Sequence, residues 1–139
     1  MVVSGNYAKI RKGRKSMKNI IITNNPLVAE KFEDVYWTDG SVEEILIKIR
    51  DLVYQGYELV SHPLASSLRM LFSPYRSVII STPKQQLNFE HAQIIENSII
   101  KYRNHTSCRK TDDQNRDDYK RIDLLLLEAA FAEQQGMWQ

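Results

Sequence analysis

The sequence predicts a single α/β domain: about four strands in a mainly parallel sheet, covered by helices in two or three layers, with a further helix at the C-terminus. Three observations carry this reading. Short β-branched runs alternate with segments of helical period. The length of 139 residues suits one domain. Hydrophobic residues make up 42% and charged residues 26%, a balance that lets a chain of this size bury a core without disulfides or structural metals.

The elements follow in order. Asn19-Ile20-Ile21-Ile22-Thr23 is a buried strand. Asn24-Asn25-Pro26 then offers an N-cap and a proline suited to the first helical position, so a short helix is expected over Leu27–Phe32. Val35–Thr38 reads as a second strand closed by the turn pair Asp39-Gly40. Ser41-Val42-Glu43-Glu44 is a capping box, and Val42, Ile45, Leu46, Ile49, Leu52 and Val53 recur behind it at helical spacing. Gly56 is the C-terminal stop. Tyr57–Ser61 resumes as a strand ending at His62-Pro63, and Ser77–Ser81 is a fourth. No helix separates those two, so the fourth strand has the option of running antiparallel. A helix over about Asn88–Tyr102 aligns Phe89, Ala92, Ile95, Ile99 and Tyr102 on one side. A last helix covers about Asp117–Gln134.

These elements divide the chain into a basic leader, 1–16, a core domain, 17–103, a polar linker, 104–118, and a C-terminal helix, 119–139. The leader carries Lys9, Arg11, Lys12, Arg14 and Lys15 and no acid, against a formal charge of +2 for the whole chain. The remainder is therefore acidic, and nucleic-acid binding would depend on the leader alone. Lys12-Gly13-Arg14-Lys15 is encodable by purine-rich codons resembling a bacterial ribosome-binding site just before Met17. Met17 is thus expected to be the natural start, with no nucleic acid as partner. No apolar run has the roughly 20 residues needed to span a bilayer, and no secretory h-region opens the chain. With Cys108 the lone cysteine, a cytoplasmic protein without membrane attachment is expected.

Strand tips define the candidate site. In open α/β sheets ligands bind beyond the carboxyl ends of the strands. Those ends bring Thr23, Asn24 and Asn25, then Asp39, then His62 with Ser66 and Ser67 in the loop behind it. Pro74-Tyr75-Arg76-Ser77 precedes the fourth strand. If that strand is antiparallel, Tyr75 and Arg76 reach the same rim, and Arg76 can clamp a carboxylate or phosphate. His62 is the candidate catalytic residue, imidazole being the side chain that ordinarily titrates near neutral pH. Ligand binding is assigned to Thr23, Asn24, Asn25, Ser66, Ser67, Tyr75 and Arg76. Each has a plainer role as cap, turn or surface ion-pair residue. Dinucleotide, P-loop, C-x-x-C and G-x-S-x-G signatures are missing, as is metal-ligand spacing, so neither a cofactor nor a metal is expected. Cys108 has neighbouring charge in Arg109 and Lys110 but no assigned base partner and no resolving thiol. The last helix crowds Ile122, Leu124, Leu125, Leu126, Leu127, Ala129, Ala130 and Phe131 into more than one face, which predicts a homo-oligomer formed through it.

Four segments together resemble the GrdX family: Ile20–Pro26, Gly40–Leu46, His62–Ser67 and Pro74–Ser77. The resemblance runs from Met17 to about Tyr102. Where relatives usually carry a polar stretch with Lys and Asn, this chain has Leu68-Arg69-Met70-Leu71-Phe72-Ser73. The resemblance implies an association with the glycine, sarcosine and betaine reductases of anaerobic amino-acid-fermenting bacteria. It brings no established reaction. The functional expectation is an accessory protein that binds a small anionic ligand or a reductase component. The alternative is a small enzyme with His62 as acid/base and Arg76 as anion clamp.

Overall fold

The computed structural model describes residues 18–65, 67–82 and 86–136. The expected leader, Met17 and Ser66 lie outside them. Strands β1 (Lys18–Thr23), β2 (Val35–Trp37), β3 (Glu58–Leu59) and β4 (Ser77–Thr82) form one sheet in the order β2-β1-β4-β3. Helices α1 (Pro26–Lys31), α2 (Val42–Tyr54), α3 (Phe89–Thr106) and α4 (Arg116–Gly136) cover it, and a 3-10 turn spans Arg69–Phe72.

The sheet is mixed, which corrects the expectation of a mainly parallel one. β1 and β2 are parallel, but β4 is antiparallel to both β1 and β3. The physical reason is the connection. A parallel return needs a crossover long enough to climb back over the sheet. Between β3 and β4 the described chain holds only the 3-10 turn, so the chain folds straight back and β4 slots between β3 and β1. The carboxyl ends of β1, β2 and β3 consequently share a rim with the amino end of β4.

Alternation along the central strands makes two cores. Ile20, Ile22, Val78 and Ile80 face α2 and α3, where Val42, Ile45, Leu46, Ile49, Val53, Ile95 and Ile99 are buried. Ile21 and Ile79 face the other way, onto Val28 of α1 and Leu127 of α4. The result is three layers, helix pairs on both faces of the sheet, with the strand interior apolar on both sides as such sandwiching requires.

Local chemistry fixes the element ends. Asn25 Oδ1 accepts from Leu27 N at 3.0 Å to start α1. Ser41 and Glu44 close the capping box of α2 reciprocally. Gly56 follows α2 with φ of +107°, the left-handed stop that glycine adopts without strain. β3 is shorter than the expected Tyr57–Ser61. Beyond Leu59, the Val60 and Ser61 amides both reach Ile79 O and the Ile79 amide turns to Ser61 Oγ, so two residues oppose one and regular pairing stops. α3 runs on to Thr106, and its first residue, Phe89, is 78% exposed rather than part of the buried side. That side is Ala92, Ile95, Ser98, Ile99 and Tyr102, the set whose 3–4 spacing faces α2 and the sheet.

α4 docks through Tyr119, Asp123 and Leu127, an i, i+4, i+8 stripe that is buried along its length. Phe131 stacks on Phe32 with ring centroids 5.5 Å apart, Lys31 pairs with Glu128, and Asn19 Nδ2 donates to Gln134 Oε1 at 3.0 Å. Its outer face leaves Leu125 61% exposed. Among the described residues no helix is long and apolar enough to cross a membrane.

Candidate functional site

The rim where β4 begins is built around a buried polar joint. Asn24, one residue past β1, donates from Nδ2 to Gly40 O at 2.8 Å and Pro74 O at 2.9 Å, and its Oδ1 accepts from Arg76 N at 2.9 Å. One amide thus fastens the end of β1, the turn after β2 and the approach to β4. Thr23 Oγ1 accepts from Asn25 N at 2.9 Å and lies 2.6 Å from Ser77 Oγ. Asn25 reaches across to α4, where Nδ2 donates to Lys120 O at 2.8 Å and to Asp123 Oδ2 at 3.0 Å.

Beside this joint is a cavity of about 520 Å3. The loop after β3 contributes His62, Leu64, Ala65 and Ser67. Arg76 and Ser77 come from the start of β4, and Asp123, Leu126 and Leu127 from α4. Its size falls within the range of small-molecule sites, and its walls combine apolar surface with a few polar groups as such sites do.

Two buried charged residues, distant in sequence, line this wall. Arg76 is 4% exposed. Its Nη2 donates to Met70 O at 3.0 Å, whereas its Nε is buried without any hydrogen-bond partner. Burial pulls the guanidinium below its ordinary value, with the negative charge of Asp123 acting in the opposite direction. A guanidinium keeps its proton in proteins nonetheless. Asp123 is also 4% exposed. Burial pushes its carboxyl up, while hydrogen bonds from Ser77 and Asn25 and the charge of Arg76 pull it back. The two do not form an ion pair; the ion pairs among the described side chains lie elsewhere.

The sequence-predicted residues divide into three groups. His62, Ser67 and Arg76 line the cavity together. Thr23, Asn24 and Asn25 form the joint behind it, and their polar atoms are spent on protein partners. Tyr75 turns elsewhere: it packs with Met70 and Tyr119, its hydroxyl accepts from Arg116 Nε at 3.2 Å, and its ring lies under Arg116 and Lys120. The Asp39–Gly40 turn meets the joint through Gly40 O. At His62 the Leu64 amide donates to Nδ1 at 3.0 Å. The same nitrogen lies 3.2 Å from Leu64 O, so the Leu64 backbone engages Nδ1 in either tautomer and Nε2 is the ring's other nitrogen. Among the described residues no group of three or more His, Cys, Asp or Glu is placed to hold a metal ion.

Sequence reasoning missed Asp123 and Ser77. Asp123 sits within an apolar run and reads as a solvated acid, yet it falls four residues after Tyr119 and four before Leu127. An acid on the buried stripe of a helix is the signal that finds it.

Comparison with known proteins adds one match. No curated protein and no solved structure matches the chain. A family model described as GrdX-like protein matches residues 20–132, which takes in most of α4, with Asp123, as well as the four segments noted in the sequence. The chain therefore belongs to the GrdX-like family.

Proposed function

We propose that the chain is a cytoplasmic accessory protein of glycine-, sarcosine- or betaine-reductase-type amino-acid metabolism that holds a small anionic ligand in the cavity beside Arg76. The observation that carries this reading is the buried Arg76 Nε without a partner. A buried donor left unpaired costs about 1–3 kcal/mol, and more on a charged group. An anion that reached Nε from the cavity would remove that cost. The family membership supports the metabolic setting. Isothermal titration of the full chain with acetate and inorganic phosphate tests the binding. Saturable binding that weakens at least tenfold in Arg76→Gln, with Arg76→Lys intermediate and both folds intact by circular dichroism, is the expected result. Equal binding in all three chains would remove Arg76 from the site.

The enzyme alternative has one observation in its favour. His62 lies in the same cavity wall as Arg76, with Nδ1 held by the backbone and Nε2 as its remaining nitrogen. A turnover that disappears in His62→Ala while anion binding persists would establish it. Ligand binding unchanged in that variant, with no turnover in either chain, leaves the accessory role.

The exposed Leu125 supports self-association through the outer face of α4. Sedimentation of the parent and Leu125→Glu chains decides it. A lower mass for the variant is expected, and identical masses would remove that face as the interface. A reductase component remains the other proposed partner.

A further inference from the structure

The cavity presents both signs of charge, and this narrows the ligand. We infer that the ligand is a small zwitterion of α-amino-acid type, its carboxylate on Arg76 and its ammonium on Asp123, with an apolar side chain along α4; the inference rests on the anion reading of the Arg76 cavity. Arg76 comes from the start of β4 and Asp123 from α4, and both line the same space. Each is almost fully buried, yet they make no ion pair with each other. The hydrogen-bond partners of both are neutral protein groups, so neither charge is neutralised by a direct ion pair. Arg76 has the Met70 carbonyl on Nη2 and nothing on Nε. Asp123 has Ser77 Oγ at 2.6 Å and Asn25 Nδ2 at 3.0 Å, both on Oδ2, and the Ser77 backbone amide also donates to its carboxylate.

A plain anion would gain Arg76 and meet the field of Asp123. A plain cation would meet the reverse. Only a ligand with both charges is favoured by both groups, and in a site of low dielectric each of those interactions is stronger than in water. The other charged lining groups, Arg69 and Glu133, are exposed, where solvent and salt screen them. Met70, Ile122, Leu126 and Leu127 supply apolar wall. At about 520 Å3 the cavity has room for more than an amino acid's backbone groups.

The test uses three molecules of one shape with the intact chain: L-leucine, 4-methylpentanoate, which lacks the ammonium, and 3-methylbutylamine, which lacks the carboxylate. Leucine is expected to bind at least tenfold more tightly than either. In Asp123→Asn leucine is expected to fall to the level of 4-methylpentanoate, and that acid to bind no worse than before. If 4-methylpentanoate binds the parent chain as tightly as leucine, the zwitterion is wrong and the anion site stands. If leucine does not bind, the inference falls; whether acetate and phosphate still bind then reports separately on the Arg76 reading. Should Asp123→Asn fail to fold, the comparison of the three molecules on the parent chain decides alone.

Discussion

Ser77 Oγ donates to Asp123 Oδ2 at 2.6 Å and so ties the first residue of β4 to the middle of α4. Because that hydroxyl's proton is committed to the carboxylate, the 2.6 Å contact with Thr23 must be donated by Thr23 Oγ1, which itself accepts from the Asn25 amide. The hydroxyls therefore form a directed chain from β1 through β4 to α4. Ser77→Ala interrupts it and strips one donor from a buried acid. A loss of about 1–3 kcal/mol is expected. Urea unfolding measures it, and a loss below about 0.5 kcal/mol would show that the chain contributes little, as a typical surface change does.

Asn24 uses both amide atoms on three backbone partners, two of them in buried hydrogen bonds and the third at the exposed Gly40. Asn24→Ala leaves two carbonyls and one amide short of a partner. Asn24→Asp keeps the shape but replaces both donated bonds by a carboxylate facing two carbonyls. The alanine variant should lose about 3 kcal/mol, and the aspartate variant at least as much at neutral pH. Thermal unfolding of both variants checks the order. An aspartate variant as stable as the parent would mean that the two donated bonds contribute nothing.

Two aspartates should respond to pH in opposite senses. Burial raises Asp123 above the ordinary 3.8. Between those values the folded chain holds a proton that the unfolded chain has released, so its contribution is most favourable below 3.8 and declines as pH rises through the folded value. Asp112 lies below 3.8 because it accepts from the Gln114 amide, from Asn115 and from Tyr119 Oη. Its contribution is present above 3.8 and is lost as pH falls through the folded value. Urea midpoints across pH 2–7, a range of about five units chosen to bracket both groups, should show Asp123→Asn gaining on the parent as pH rises. Asp112→Asn should fall behind it over the same range. Parallel curves would contradict both assignments.

The start of α2 offers a local test. Gly40 has φ of +123°, and a Cβ there would come 2.6 Å from the Glu44 carboxylate that completes the capping box. Gly40→Ala combines backbone strain with displacement of Glu44 and should cost about 1–3 kcal/mol. Ser41→Ala removes only the cap and should cost about 1 kcal/mol. If the two variants unfold at the same urea concentration, the left-handed turn carries no strain of its own.

Much of the fold was legible because the signals were local. The Ile20–Ile22 run, the Ser41–Glu44 box and the Gly56 stop each depend on neighbours in sequence, and each forms where expected. The direction of β4 was not local. It follows from which strand edge is free when the chain returns, and Ser77–Thr82 has the same β-branched pattern whichever way it runs. The site divides along the same line. His62, Ser67 and Arg76 reach one cavity because strand tips converge, a rule of sheets. Tyr75 departs from it because alternate residues of an extended chain point to opposite sides, and its side chain faces Tyr119 while that of Arg76 reaches Met70 O and the cavity. Asn24 resembled a ligand residue because a polar strand end looks alike whether it meets a substrate or another loop. Asp123 stayed hidden because its partners, Ser77 and Asn25, are 46 and 98 residues away.

One wall of the cavity is a helix that also seals the second core over Ile21, Val28 and Ile79. Occupancy and helix docking are therefore linked equilibria. A compound held only when α4 is seated must resist the helix's departure, by about 2.7 kcal/mol at a hundredfold excess over its dissociation constant. Slower proteolysis between α3 and α4 would then report filling of the cavity with no need for an assay of turnover.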